Sequence, residues 1–140
     1  MKLKNEIGVR EINNFEECVT YPIHLSLKRV LKENLTLSSS KHTAYFDAEK
    51  IKFPLRLRVW KKGDTFRPLG MVGKKKISDL LIDNKVSIVE KEKVFVLESD
   101  QKIIWVVGYR SSEHFKINST TMNKAPIGPN ASASHCKDGN

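Results

Sequence analysis

The sequence predicts a strand-rich α+β domain with one short helix placed directly after a Gly/Lys-rich loop. Three stretches carry this prediction. In FPLRLRVW (53–60), Leu55, Leu57 and Val59 alternate with Arg56, Arg58 and Trp60, the period of two that gives a strand one apolar and one polar face. KVFVLESDQKIIWVVGYR (93–110) holds two apolar runs separated by a polar turn at Glu98–Lys102, the pattern of a hairpin. ISDLLIDNKV (77–86) sets Ile77, Leu80, Leu81 and Val86 at helical spacing, with Ser78 or a neighbour as cap, and the glycines and lysines of GMVGKKK (70–76) stand immediately before it.

The other elements are weaker. EIGVREI (6–12) alternates loosely, and NNFEEC (13–18) is turn-like or briefly helical. YPIHLSLKRVL (21–31) puts Ile23, Leu25 and Leu27 on one side of a half-buried strand, and SSSKH (38–42) is a loop. TAYFDAEKI (43–51) reads as a short strand entering a turn, and HFKI (114–117) as one more strand. From Ser119 the chain has little to bury and is expected to be disordered. Residues 43–118 are then the domain proper, 1–42 its N-terminal part or a linker from an upstream region, and 119–140 a tail.

Composition narrows the class. A chain of 140 residues is one domain, large enough to bury a core without a metal or a disulfide framework. Its densest apolar run, IIWVV (103–107), is strand-sized rather than membrane-sized, and MKLKNEIGVRE has no secretory h-region. Cys18 and Cys136 lie far apart, so reduced thiols and a cytoplasmic location are expected. The net charge of +9 is concentrated: Arg56–Lys76 contains eight basic residues and one acid, Asp64. A local positive field on a nearly neutral body points to a polyanion, above all nucleic acid, more than to general solubility.

The residues of this window set the candidate site: Arg56, Arg58, Lys61, Lys62, Arg67, Gly70, Gly73, Lys74, Lys75 and Lys76. Arg56 and Arg58 share a strand face about 7 Å apart. Gly70 and Gly73 remove side-chain bulk, so that backbone N–H groups can meet an anion. A helix start just beyond the lysines adds its partial positive charge. The bland alternative is a solvated charge run, which a bare KKK favours; the arginine face, the glycines and the lysine-primed helix together favour binding.

Competing chemistries lack their residues. GK at 73–74 is no P-loop, because Pro68 stands where the first glycine belongs and Lys75 where Ser or Thr belongs. GMVG (70–73) satisfies the GXXG of a KH domain but follows a strand and a proline instead of joining two helices. Asp79 and Asp83 at i, i+4 more often form a solvated face than a catalytic pair. His24, His42, His114 and His135 are scattered, so neither metal ligands nor catalytic residues are assigned. Trp60 is read as an edge of the core and Trp105 as core.

LRLRVWKKGDTFRPLGMVGKKKISDLLIDNKV, VFVL, IIWVVGYR and HFKI together resemble the C-terminal domain of the tRNA(Ile)-lysidine synthetase family, TilS, over roughly residues 43–117. The family pattern is an arginine-bearing strand, a Gly-Asp turn, P-[LF]-G-M-x-G-x-K-K-[LV]-S-D, and W-[VI]-V-G-x-R followed by [RK]-F. The chain departs from it where Ser112 and His114 replace the family's Asp and Arg. The resemblance implies a sandwich-like α+β fold similar to a module of the phenylalanyl-tRNA synthetase β-subunit, and adds Arg110 to the candidate site. It also implies that the parent enzyme uses ATP to attach lysine to the wobble cytidine of tRNA(Ile), while this domain holds the acceptor stem. The Ser-Gly-Gly-x-Asp-Ser loop of the ATP-binding catalytic domain is not in these residues, so this chain is expected to be non-catalytic and to carry no cofactor. Its expected partners are the tRNA acceptor stem and the N-terminal catalytic domain, with no membrane. The alternative is a standalone RNA-binding adaptor without a catalytic partner.

Overall fold

A computed structural model describes residues 9–20, 23–31 and 42–129. Two antiparallel sheets pack face to face. The first contains β1 (Arg10–Ile12), β6 (Leu55–Val59), β9 (Phe95–Ser99), β10 (Lys102–Val106) and β11 (Arg110–Ser111), hydrogen-bonded in that order. The second runs β2 (Cys18–Val19), β3 (Leu25–Leu27), β12 (Asn123–Gly128) and β4 (Val30–Leu31), with β5 (Ala44–Asp47) on the other edge of β12. A small hairpin, β7 (Thr65–Phe66) and β8 (Lys75–Lys76), leads into helix α1 (Ile77–Asp83), and a four-residue helix, α2 (Ile88–Lys91), follows.

The alternation in β6 does what its period requires. Leu55 and Leu57 are fully buried between the sheets, together with Leu97, Ile104, Trp105, Phe46 and Ile127. Phe46 of the second sheet meets Trp105 of the first edge-on, with ring centroids 6.5 Å apart. The outer face of the first sheet is covered in turn: Val96, Ile103 and Val106 pack with Phe66, Ile77, Leu80, Leu81 and Val94, and Trp60 closes the margin. A strand covered on both faces cannot alternate, which explains IIWVV. A register shift between Ile103 and Trp105 lets both Ile104 and Trp105 enter the inter-sheet core. The β9–β10 turn is tight, with Asp100 and Gln101 at φ +51° and +66°, as a two-residue hairpin turn demands.

Helix α1 buries Ile77, Leu80 and Leu81, as its spacing predicts, but Ser78 does not cap it: Lys76 occupies that position without a side-chain bond. HFKI is not a strand; Glu113–Phe115 forms a single 3-10 turn whose cap Ser112 accepts from the His114 N–H. Ser119 does not begin a disordered tail. Residues 123–128 are the central strand of the second sheet, paired on both edges, and Thr121 donates a buried bond to Asp47 at 3.0 Å just before it. Residues 130–140 lie outside the described set. Strands β1–β4 build both sheets, so the described part of 1–42 is part of the domain rather than a linker. Cys18, expected as a reduced thiol, is disulfide-bonded, because distance along the chain does not limit which thiols meet in a fold; Cys136 lies outside the described residues. Among the described residues no helix is long and apolar enough to cross a membrane.

Candidate nucleic-acid interface

The basic window folds into one corner. Strand β6 ends at a tight turn in which the Lys61 N–H donates to Asp64 Oδ2 at 2.7 Å and Gly63 adopts φ +97°. The β7–β8 hairpin carries the loop 67–74 at its tip and returns through Lys75 and Lys76 to α1. Lys75 and Lys76 thus form a short strand with Lys74 at the loop end, and successive side chains on a strand point to opposite sides. Lys74 and Lys76 are exposed, with no ion pair or side-chain hydrogen bond among the described residues. Lys75 is half-buried and bonds Asp83 at 2.6 Å.

Arg56 and Arg58 part company. Arg56 is exposed and only loosely paired, 3.8 Å from Glu98. Arg58 is buried and bonds Asp64 at 2.9 Å and Glu98 at 2.6 Å, with a further bond to the Val59 carbonyl. Burial by itself would lower the Arg58 pKa, but the bonds to the two carboxylates outweigh it and hold the guanidinium above its usual value. For Asp64, burial pushes upward, yet the Arg58 bond and the Lys61 amide hold the carboxyl below its usual range. Arg58 is therefore spent on tying β6, β9 and the turn together, and it offers a ligand little. Period-two reasoning placed both arginines on one face; it does not see that Glu98, opposite Arg56 in the β6–β9 register, claims the second one.

The glycines work through backbone conformation. Gly70 and Gly73 adopt φ +83° and +90°, and nothing stands within 4 Å of where a Cβ would be. Gly73→Ala is expected to destabilise by about 1–2 kcal/mol through backbone strain alone, measured by chemical denaturation; an unchanged midpoint would show that the loop relaxes. The Gly70 N–H already has an anion, Glu113 Oε1 at 2.8 Å. At the start of α1 the Ile77 N–H donates to the Asp64 carbonyl at 3.0 Å, and no side chain caps the helix. The Gly70 amide is therefore not an open anion site in this conformation.

Between the loop and the start of β10 lies a cleft of about 720 Å³, with Arg58, Asp64 and Glu98 lining it beside Arg67, Lys74, Lys102 and His114. Lys102 and His114 are the residues that sequence reasoning missed, because only the hairpin and the 3-10 turn carry them to the loop. Arg110 is exposed; it donates to the Leu69 carbonyl at 2.7 Å and so braces the loop from the far side. Arg56, Lys61, Lys62, Lys74, Lys76, Lys102 and Arg110 are exposed, and the half-buried Arg67 donates to the Met71 carbonyl at 3.3 Å. The arrangement is a strand-rich α+β domain with one cationic corner and no assembled catalytic constellation among its described residues.

Residues 55–124 match the family described as the TilS substrate C-terminal domain. The chain belongs to that family. It is 45% identical over 101 residues to a tRNA(Ile)-lysidine synthase of Parabacteroides distasonis, covering 71% of this chain and 23% of that protein. A tRNA(Ile)-lysidine synthase of Bacteroides thetaiotaomicron is 44% identical over 94 residues, covering 67% and 22%. The chain therefore spans less than a quarter of the length of these relatives. Its fold is similar to a crystal structure of a TilS C-terminal domain, with a TM-score of 0.68 at 19% identity, covering 86% of this chain and 95% of that one. It is also similar to an N-terminal fragment of the phenylalanyl-tRNA synthetase β-subunit from Pyrococcus horikoshii, with a TM-score of 0.52 at 19% identity over 61% of this chain and 27% of that one.

Proposed function

We propose that this chain is the tRNA-holding part of a tRNA(Ile)-lysidine synthase, gripping the acceptor stem through its cationic corner. The observation that carries the reading is the cluster of exposed, uncommitted cations at Lys62, Lys74 and Lys76 beside Arg56 and Arg67, on a domain of a tRNA-modifying family. A-form RNA hides its bases in a deep groove, so a domain gripping a stem reads phosphates and shape. Exposed lysines on and next to the β7–β8 hairpin suit that task. The ATP-dependent attachment of lysine to the wobble cytidine then belongs to a separate catalytic domain, with ATP bound there and no cofactor here. On this reading the chain works in the cytoplasm with its tRNA; the Cys18 disulfide is the contrary observation.

The test is a salt titration of tRNA(Ile) binding by the 140-residue chain. The logarithm of affinity is expected to fall linearly with the logarithm of salt, by roughly 0.7–0.9 for each phosphate contact. Salt-insensitive binding would overturn the phosphate reading. ATP–pyrophosphate exchange by the chain alone would overturn the division of labour.

A further inference from the structure

The loop 67–73 has almost no core of its own. Leu69 and Met71 are exposed and Val72 is 92% exposed, so beyond the buried Pro68 little burial holds the segment in shape. What holds it is a strap of polar contacts to residues 110–113. The Leu69 N–H donates to the Ser111 carbonyl at 2.9 Å, the Glu113 N–H donates to the Arg67 carbonyl at 2.8 Å, and Arg110 donates to the Leu69 carbonyl at 2.7 Å. The last contact belongs to the Glu113 side chain: Oε1 accepts the Gly70 N–H at 2.8 Å while Oε2 meets Lys116 at 2.5 Å. The Gly70 bond, with Lys116 behind it, holds the Glu113 carboxyl below its usual range, so it stays ionised where an anionic ligand would arrive.

An acid bonded to the loop of a polyanion site opposes binding by charge alone. We propose that Glu113 is a positioning residue of this site: its carboxylate fixes the Gly70 turn and thereby holds Arg67 and Lys74 in the geometry that meets RNA phosphates. The proposal rests on the tRNA-holding reading and deepens it. It inverts the electrostatic expectation. A charge-only account has both Glu113→Ala and Glu113→Gln bind RNA more tightly, since each removes a repulsive charge. Positioning separates the two, because the glutamine Oε1 still accepts the Gly70 N–H and alanine offers nothing.

The experiment uses the 140-residue chain, isotope-labelled, with a fluorescent tRNA(Ile) transcript as probe. Glu113→Ala is expected to speed exchange of the Gly70 amide and to weaken tRNA binding by about tenfold, the size of a missing charge-assisted hydrogen bond. Glu113→Gln is expected to keep slow Gly70 exchange and to stay within about twofold of the parent affinity, because its amide oxygen still accepts the Gly70 N–H. Glu113→Ala binding as tightly as the parent, or the two variants behaving alike in Gly70 exchange, overturns the proposal. The tRNA-holding reading fails separately, if replacing the three lysines 74–76 leaves binding unchanged.

Discussion

Replacing Arg58 by alanine is expected to destabilise the domain by about 3–5 kcal/mol, a large share of the ~5–15 kcal/mol that holds a typical domain folded. The guanidinium is buried and engages Asp64 and Glu98 at once. Removing it leaves two carboxylates facing the same cleft with no cation between them and loosens the turn that starts the β7–β8 hairpin. Urea unfolding measures the loss. The acid limb of stability adds an independent check. The carboxyl of Asp64 is held below its usual range in the fold, so the unfolded chain takes up this proton first as the pH falls. The stability it contributes is complete above the ordinary carboxylate range, at about pH 5, and is lost progressively as pH falls through that range to the lower folded value. Asp64→Asn is expected to flatten that limb. An Arg58→Ala protein that keeps its unfolding midpoint and loses only tRNA affinity would make Arg58 an RNA contact instead of a brace.

The second large effect is on binding. Replacing Lys74, Lys75 and Lys76 together by alanine is expected to weaken tRNA binding by about tenfold or more near physiological salt. The salt slope should flatten by roughly 0.7–0.9 for each phosphate left without its cation. Stability should change by no more than about 0.5–1 kcal/mol, since two of the lysines are exposed and the third takes part in a pair with a largely exposed Asp83. The structure divides the trio: Lys74 and Lys76 carry the binding effect, while Lys75→Ala alone mainly releases Asp83 at the end of α1. In a full-length synthase the triple change is expected to raise KM for tRNA and leave KM for ATP and lysine nearly unaltered. A triple variant that binds acceptor-stem RNA as tightly as the parent at low salt would make this corner a solvated surface.

Local patterns were enough for much of this protein. Alternation in LRLRV, helical spacing in ISDLL and the polar break in ESDQK each report contacts within a few residues, and the strand, the helix and the hairpin appear where those patterns place them. The motif-bearing stretch also led to the family, because many residue identities in fixed order and spacing are specific. Other features depend on partners far away in the chain. NKAPIG looks like tail because a lysine, a proline and a glycine leave it no apolar alternation, yet pairing with β3, β4 and β5 makes it the middle of a sheet. Arg58 has the same residue type and period as Arg56, yet Asp64 in the turn and Glu98, forty residues on, together enclose it while Arg56 faces water. The Gly70 amide, available to an outside anion by local reasoning, meets Glu113 across forty-three residues. Period and composition encode which face a side chain takes; which charge is already neutralised is a long-range fact, set when separate segments are brought to one place.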